Sequence, residues 1–541
     1  MERRTLVAAP VLALALACLL AASASARADD DSDDDTAAVP HVAAQAAPAV
    51  SATPATAAAR APGAALPAPR EASTATEHVL SLHGRRFDYR ATAGNLLLRD
   101  DKGQPEASMF YVAYTHKAER GAPRPVTFLF NGGPGAASVF LLMGSVGPKR
   151  VHTLSPTATP PAPYQLADNP DTLLDKSDLV FIDAVGTGFS KLVGHGTGKR
   201  FWSVDGDLDA FTRFIDRYLS VNNRWNSPKF LIGESYGTTR AAMLAYRLGQ
   251  HNISLNGVAL LSSVLNSNMH APGFDLMYVR YLPSYAAAAW YHDKLGPSKP
   301  ADLPAFLDEV RAFAAGPYAA ALAKGDALPD NERDAIAAQI ARYTGLDAQY
   351  VIGARLRVSP SHFRKQLLLA QTRSVGRYDS RFEGIEYDQD SSSPDYDASE
   401  KYITSAFDAA FHQHLAEDLH YANASEGAYR VFNEHVLGAW EWKHHAWWGE
   451  TLNAPYAAAD LAEAMRQNPH LLVLSANGYF DLATPFFATE YDLSHMGLEP
   501  ALRKNLRVTY YSTGHMIYLD DSALHALKAD LAAFYDDATR R

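Results

Sequence analysis

The stretch KFLIGESYGTTRAAM, Lys229 to Met243, runs a short apolar segment into a helical pattern through Gly233-Glu234-Ser235-Tyr236-Gly237. A serine flanked by glycines, where a buried strand meets a helix, sits on a sharp turn that presents its hydroxyl for attack on a carbonyl. A serine in a glycine turn is also often structural, so its surroundings decide. Comparable apolar runs recur at VTFLF (126–130), DLVFID (178–183), VALLSSV (258–264), LLVLSANG (471–478) and RVTYYSTG (507–514). Amphipathic patterns such as DLDAFTRFIDRYL (207–219) and ALHALKADLAAFY (523–535) alternate with them. Buried strands alternating with helices predict an α/β fold with a mostly parallel central sheet and flanking helices.

A serine nucleophile needs a base, and the base needs an orienting acid. His515 follows the run RVTYYSTG and Asp481 follows LLVLSANG, each just past a predicted strand. The chain order Ser235, Asp481, His515 is that of the α/β-hydrolase fold. Of the 20 histidines, His515 is the one in that position. The glycine run FNGGPGAAS (130–138) follows VTFLF, where the second oxyanion loop of that fold belongs. The backbone amides of Gly133 and Tyr236 are therefore the expected oxyanion donors, each worth about 3 kcal/mol of transition-state stabilisation.

NGGPG (131–135), DAVGTGFS (183–190), GESYG (233–237), GYFD (478–481) and GHM (514–516) follow one another along the chain. In these blocks the sequence resembles the serine carboxypeptidases, peptidase family S10, as a divergent bacterial-type member, from about Val126 to the C-terminus. The resemblance implies an α/β hydrolase that releases C-terminal residues from peptides, with Ser235 as nucleophile, His515 as base and Asp481 as orienting acid. It implies substrate contacts at Asn131 and Glu234, at the substrate's terminal carboxylate; Gly132 beside Asn131, and Met516 because it adjoins His515, are further expected substrate contacts. In the family that glutamate shares a proton with a second glutamate in the helix after NGGPG, because two adjacent carboxylates do not easily both ionise. The matching position here is Ser145. Glu234 is therefore expected to lose the repulsion that raises its pKa, with less acid-dependent activity and a weaker preference for a free C-terminus. Further departures are Ala136 and Ala137 after NGGPG, Thr238 after GESYG, and Tyr518 where the family has proline.

At 541 residues and 47% hydrophobic content, the chain is long and apolar enough to bury a large core. Residues 1–28 read as an export signal, with Arg3 and Arg4 before the apolar Leu6 to Leu20 and small residues before the cleavage site. A periplasmic or secreted protein is expected. The only cysteine, Cys18, lies inside that signal, and lipoprotein anchoring through it is the lesser reading because Ala15-Leu16-Ala17 fits the required cleavage site poorly. A net charge of −11 argues against nucleic acid as a partner, and no later stretch is apolar enough for stable membrane insertion. Residues 29–77, opening with DDDSDDD, read as a disordered linker rich in Ala and Pro. Residues 78–265 and 466–541 read as two parts of one core. Residues 266–465 between them are too many for a crossover and read as a mainly helical cap insertion.

GHGTGKR (194–200) lacks the spacing and the final hydroxyl of a phosphate loop. The histidines of FHQHLAEDLH (411–420) and KHH (443–445) complete no zinc spacing. No metal and no cofactor are expected. Trp440, Trp442, Trp447 and Trp448 read as packing residues before they read as a substrate cleft. Fold and triad do not fix a substrate. An esterase, acyltransferase or aminopeptidase on the same fold, and an inactive binding protein, remain alternatives to a carboxypeptidase. Oligomeric state leaves no mark in the sequence.

Overall fold

The computed structural model describes residues 69–540, apart from 83, 117–122, 271–272 and 422–426. The expected leader and most of the expected linker lie outside the described residues. Nine strands form the body of one sheet: β1 (Ser73–Leu82), β2 (Arg85–Arg99), β3 (Pro105–Thr115), β4 (Val126–Phe130), β5 (Asp178–Ile182), β6 (Lys229–Ser235), β7 (Gly257–Ser263), β8 (Leu472–Gly478) and β9 (Leu506–Tyr511). Their spatial order is β1-β2-β3-β5-β4-β6-β7-β8-β9, with the short strand Lys191–Leu192 added beside β3. The first three are antiparallel, β3 meets β5 antiparallel, and the six strands from β5 to β9 in that order run parallel. This is the α/β-hydrolase architecture.

β1 begins at Ser73, upstream of the expected start of folding at His78 and inside the segment read as linker. Its residues up to Glu77 are small and polar and resemble the linker in composition. Their pairing with β2, Ser73 opposite Gly94 through Leu82 opposite Arg85, makes them a strand.

The helices that position the site are α1 (Val139–Gly144), α2 (Val204–Val221), α3 (Tyr236–Gln250), α4 (Ala457–Gln467) and α5 (Asp521–Arg540). Side chains alternate across the sheet. Phe128, Phe130, Val180 and Leu231 pack in one layer with α2, α3 and α4, and Leu129, Phe181, Phe230 and Ile232 pack in the other with α1 and α5. Burial on both faces explains why these strands read as unbroken apolar runs.

Between β7 and β8 the chain is mainly helical, including Leu276–Tyr291, Leu303–Phe313, Asp330–Thr344 and Thr404–Glu417. Helices from this region share a buried cluster with Tyr479, Phe480 and Phe486, which follow β8. The expected boundary at residue 465 falls inside α4, which packs on α3. Among the described residues, no helix is long and apolar enough to cross a membrane.

Candidate active site

The three residues expected to react all lie at the carboxyl ends of parallel strands. Ser235 ends β6 and caps α3, Asp481 lies three residues past β8, and His515 lies four past β9. Ser235 has φ +59° and ψ −132°, a conformation that costs on the order of 1–3 kcal/mol and persists only where its surroundings enforce it. The enforcement is steric: a Cβ on Gly233 would stand 2.0 Å from the Gly237 carbonyl oxygen. Strand and helix cross at a separation that only glycine permits.

His515 Nδ1 and Asp481 Oδ2 are 2.7 Å apart. The other contacts of Asp481 are local: the Ala483 and Thr484 amides donate to Oδ1 at 2.7 and 2.9 Å, and the Thr484 hydroxyl donates to Oδ2 at 2.7 Å. The His515 backbone is held from two sides. Its N–H donates to the Tyr378 carbonyl at 2.6 Å, and its carbonyl accepts from Ser262 Oγ at 2.6 Å. Burial disfavours the charged imidazole, but the charge and hydrogen bond of Asp481, aided by the charge of Glu234, outweigh it and leave the His515 pKa raised. That arrangement suits a base that must take up a proton during reaction.

The glycine loop after β4 lies against the start of α3. A Cβ on Gly132 would come 2.5 Å from the amide nitrogens of Tyr236 and Gly237. Gly133 takes φ +99°. No backbone carbonyl among the described residues accepts from the Gly133 or Tyr236 amide outside the helices and strands. Tyr236 is the first residue of its helix, where an N–H has no partner within the helix. The loop is tied down by the Ala137 amide on the Val431 carbonyl and the Asn433 amide on the Gly135 carbonyl, each at 2.9 Å. Below it, Arg240 donates to the Asn131 carbonyl at 2.8 Å and pairs with Asp207 at 2.6 Å.

Asn131 and Glu234 meet: Asn131 Nδ2 donates to Glu234 Oε1 at 2.7 Å, and Asn131 Oδ1 accepts from the Leu141 amide at 3.0 Å. Glu234 is 3% exposed, and its second oxygen, Oε2, has no hydrogen-bond partner. Its pKa is pushed up to about 7 by burial, assisted by the charge of Asp481 and opposed by His515, Tyr518 and Asn131. The like-charge contribution of a second glutamate is absent, as expected, but desolvation alone keeps the Glu234 pKa raised with no acid at position 145. The Ser145 hydroxyl turns back onto the Leu141 carbonyl of its own helix.

Other expected residues divide. The Tyr236 ring is buried and packs edge-on against Trp440 and Trp442, at 5.5 and 5.9 Å between centroids. Trp447 and Trp448 are exposed and pack on each other. Met516, expected at the substrate because it adjoins His515, is 6% exposed and belongs to a buried apolar cluster with Tyr511 and Tyr518. Sequence reasoning missed Thr484, Arg240 and Tyr378. Thr484 and Arg240 stand three and five residues from Asp481 and Ser235 and were within reach of a local reading. Tyr378 belongs to the long region between β7 and β8, where no sequence signal marks it. Among the described residues, no three His, Cys, Asp or Glu side chains converge so as to hold a metal ion.

The family model of the serine carboxypeptidases matches residues 88–507. The pheromone-processing carboxypeptidase KEX1 of Saccharomyces cerevisiae is 29% identical over 172 residues, which is 30% of this chain and 22% of the relative. The serine carboxypeptidase-like 36 protein of Arabidopsis thaliana is 25% identical over 183 residues, 32% of this chain and 36% of the relative. The matched segments thus span well under half the length of these relatives. A solved structure of proline iminopeptidase from Mycobacterium smegmatis aligns over 82% of this chain and 98% of its own, with 15% identity and a TM-score of 0.36.

Proposed function

This chain belongs to the serine carboxypeptidase family, and from that premise we propose that it is an exported serine peptidase releasing C-terminal residues from peptides. The observation that carries the reading is the Asn131–Glu234 hydrogen bond beside the Ser235 elbow. An ester or amide hydrolase needs only the nucleophile, the base and the oxyanion donors. A buried carboxyl group with its proton retained near neutral pH is an added feature, suited to hydrogen-bonding a substrate's terminal carboxylate without like-charge repulsion.

In the proposed reaction Ser235 Oγ attacks the last peptide carbonyl while its proton passes to His515 Nε2. Asp481 holds the imidazole through Nδ1. The Gly133 and Tyr236 amides donate to the oxyanion. Collapse breaks the C–N bond, His515 returns the proton to the departing amino group, and an acyl ester remains on Ser235. Water, deprotonated by His515, attacks that ester and frees the shortened peptide. The helical region between β7 and β8 would cap the strand ends, supplying Tyr378 to the His515 backbone. The leader read at residues 1–28 would carry the protein across a membrane.

Labelling by a fluorophosphonate that is abolished in Ser235→Ala is expected for the serine hydrolase. Incubation with matched free and C-terminally amidated peptides then distinguishes the readings. Loss of single C-terminal residues from the free peptides supports a carboxypeptidase, whereas equal turnover of both series would place the protein with the esterases or other acyl hydrolases of this fold.

A further inference from the structure

Directly beside the Asn131–Glu234 hydrogen bond is a second polar group that the proposed reaction does not use. Tyr518 follows His515 by three residues, in the short 3₁₀ turn Ile517–Leu519. It is 0% exposed, and its hydroxyl is buried with no hydrogen-bond partner. Glu234 and Asn131 are the polar side chains that act on the ionisation of this phenol. Tyr518 Oη and Glu234 Oε2 are thus both buried without a partner in hydrogen-bond geometry, while the phenol and the carboxyl group stand near enough to act on each other's ionisation.

The ring of Tyr518 occupies a made-to-measure slot. Gly144 ends α1, and a Cβ there would stand 2.7 Å from Tyr518 Cε2 and 2.8 Å from Phe407 Cε1. The next residue, Ser145, points its hydroxyl away to Leu141 and offers Glu234 nothing. Phenylalanine would fill the same slot without burying a hydroxyl, and an unpaired hydroxyl inside a protein is destabilising. Packing accounts for the ring but not for its oxygen.

We infer that Tyr518 is a positioning residue for Glu234, its phenol donating to Oε2 while Asn131 donates to Oε1, so that the carboxyl group is clamped from both sides and its own proton is left for the substrate. This rests on the reading of Glu234 as the substrate-carboxylate contact. The phenol keeps its proton, because burial and the neighbouring Glu234 raise its pKa well above the usual tyrosine value. A donor on Oε2 favours the ionised carboxylate. Tyr518 therefore moderates what burial does to Glu234, alongside Asn131 and the charge of His515 and against the charge of Asp481. Removing the hydroxyl should raise the pH at which Glu234 ionises.

The test is a carboxyl titration of the full chain by NMR, with glutamate ¹³C-labelled at the side-chain carboxyl and the resonance absent from Glu234→Gln assigned to Glu234. Tyr518→Phe is expected to move that midpoint upward by roughly one pH unit. Tyr518→Leu, which also removes the ring, should lower the thermal midpoint, whereas Tyr518→Phe should leave it close to wild type. In the wild type itself, ¹³Cζ-labelled tyrosine should show the Tyr518 resonance moving with the same midpoint as Glu234, a readout that needs no Tyr518 variant to fold. An unchanged Glu234 midpoint in Tyr518→Phe, or a Tyr518 signal indifferent to Glu234, overturns the pairing whatever peptides the enzyme prefers. If the midpoint moves but free and amidated peptides are cleaved alike, the pairing stands and the carboxylate reading of Glu234 falls.

Discussion

Two carboxyl groups are buried within this site, and their surroundings are opposite. Asp481 accepts four hydrogen bonds, from two amides, one hydroxyl and the His515 ring. Glu234 accepts one, from Asn131, and only the inferred Tyr518 phenol is at hand for its other oxygen. The two acids are equally hidden from water, so burial alone does not separate their roles. The number of donors does: both oxygens of Asp481 are engaged, whereas Glu234 keeps an oxygen free of protein donors in hydrogen-bond geometry. The first arrangement suits a fixed orienter of an imidazole. The second suits a group that meets an anion.

The largest losses are expected at the centre that both acids serve. Ser235→Ala should lower kcat by roughly 10⁶-fold and abolish fluorophosphonate labelling; retention of labelling would place the nucleophile elsewhere. Asp481→Asn should cost roughly 10⁴-fold in kcat with folding intact, because the imidazole loses its orienting acceptor. A loss under tenfold would mean that the four donors around Asp481 serve only structure.

Glu234→Gln tests the donor-poor acid. In the wild type, kcat/KM for free peptides should fall as pH rises past about 7, when Glu234 ionises opposite the substrate carboxylate. Amidated peptides should lack that fall, and the variant should lack it for both. The same alkaline limb on free and amidated substrates would exclude Glu234 from recognition. The acid limb, set by protonation of His515, should persist in every case. Because His515 and Glu234 influence each other, the limbs report the pair rather than either residue alone.

Glu234 also has a stability signature. Its folded pKa of about 7 exceeds its ordinary 4.5, so folding favours the protonated form. Its contribution is fully present below pH 4.5 and declines up to about 7. Over that window the stability of Glu234→Gln relative to wild type should rise by roughly 3 kcal/mol and then level off, as read from urea unfolding at a series of pH values. The smallest effect is expected at the donor-rich acid: Thr484→Val removes one of its four donors and should cost about 1 kcal/mol of stability and less than tenfold in kcat.

The nucleophile elbow and both loop residues that follow β8 and β9 were legible because each sits within a few residues of a strand end that the apolar pattern marks. The start of β1 was not, since Ser73 to Glu77 carry no apolar run and become a strand only by pairing with β2. The raised pKa of Glu234 was not legible either. Position 145 informs only the like-charge contribution, whereas burial, the largest cause, is set by the fold. Adjacency to His515 points to Met516 as a substrate contact, and the structure buries its side chain about as deeply as those of Asn131 and Glu234.

By itself the sequence determined the order of strands and helices, the family, and the three residues on which chemistry is proposed to run, because strand periodicity and short motifs are local properties. Only the tertiary structure decided the state of Glu234. Its burial, its Asn131 donor and the Tyr518 hydroxyl that acts on it come from segments that the fold brings together from positions 131, 234 and 518. The free energy of a buried charge depends on everything within a few ångströms of it, and proximity of that kind is set by packing rather than by order along the chain.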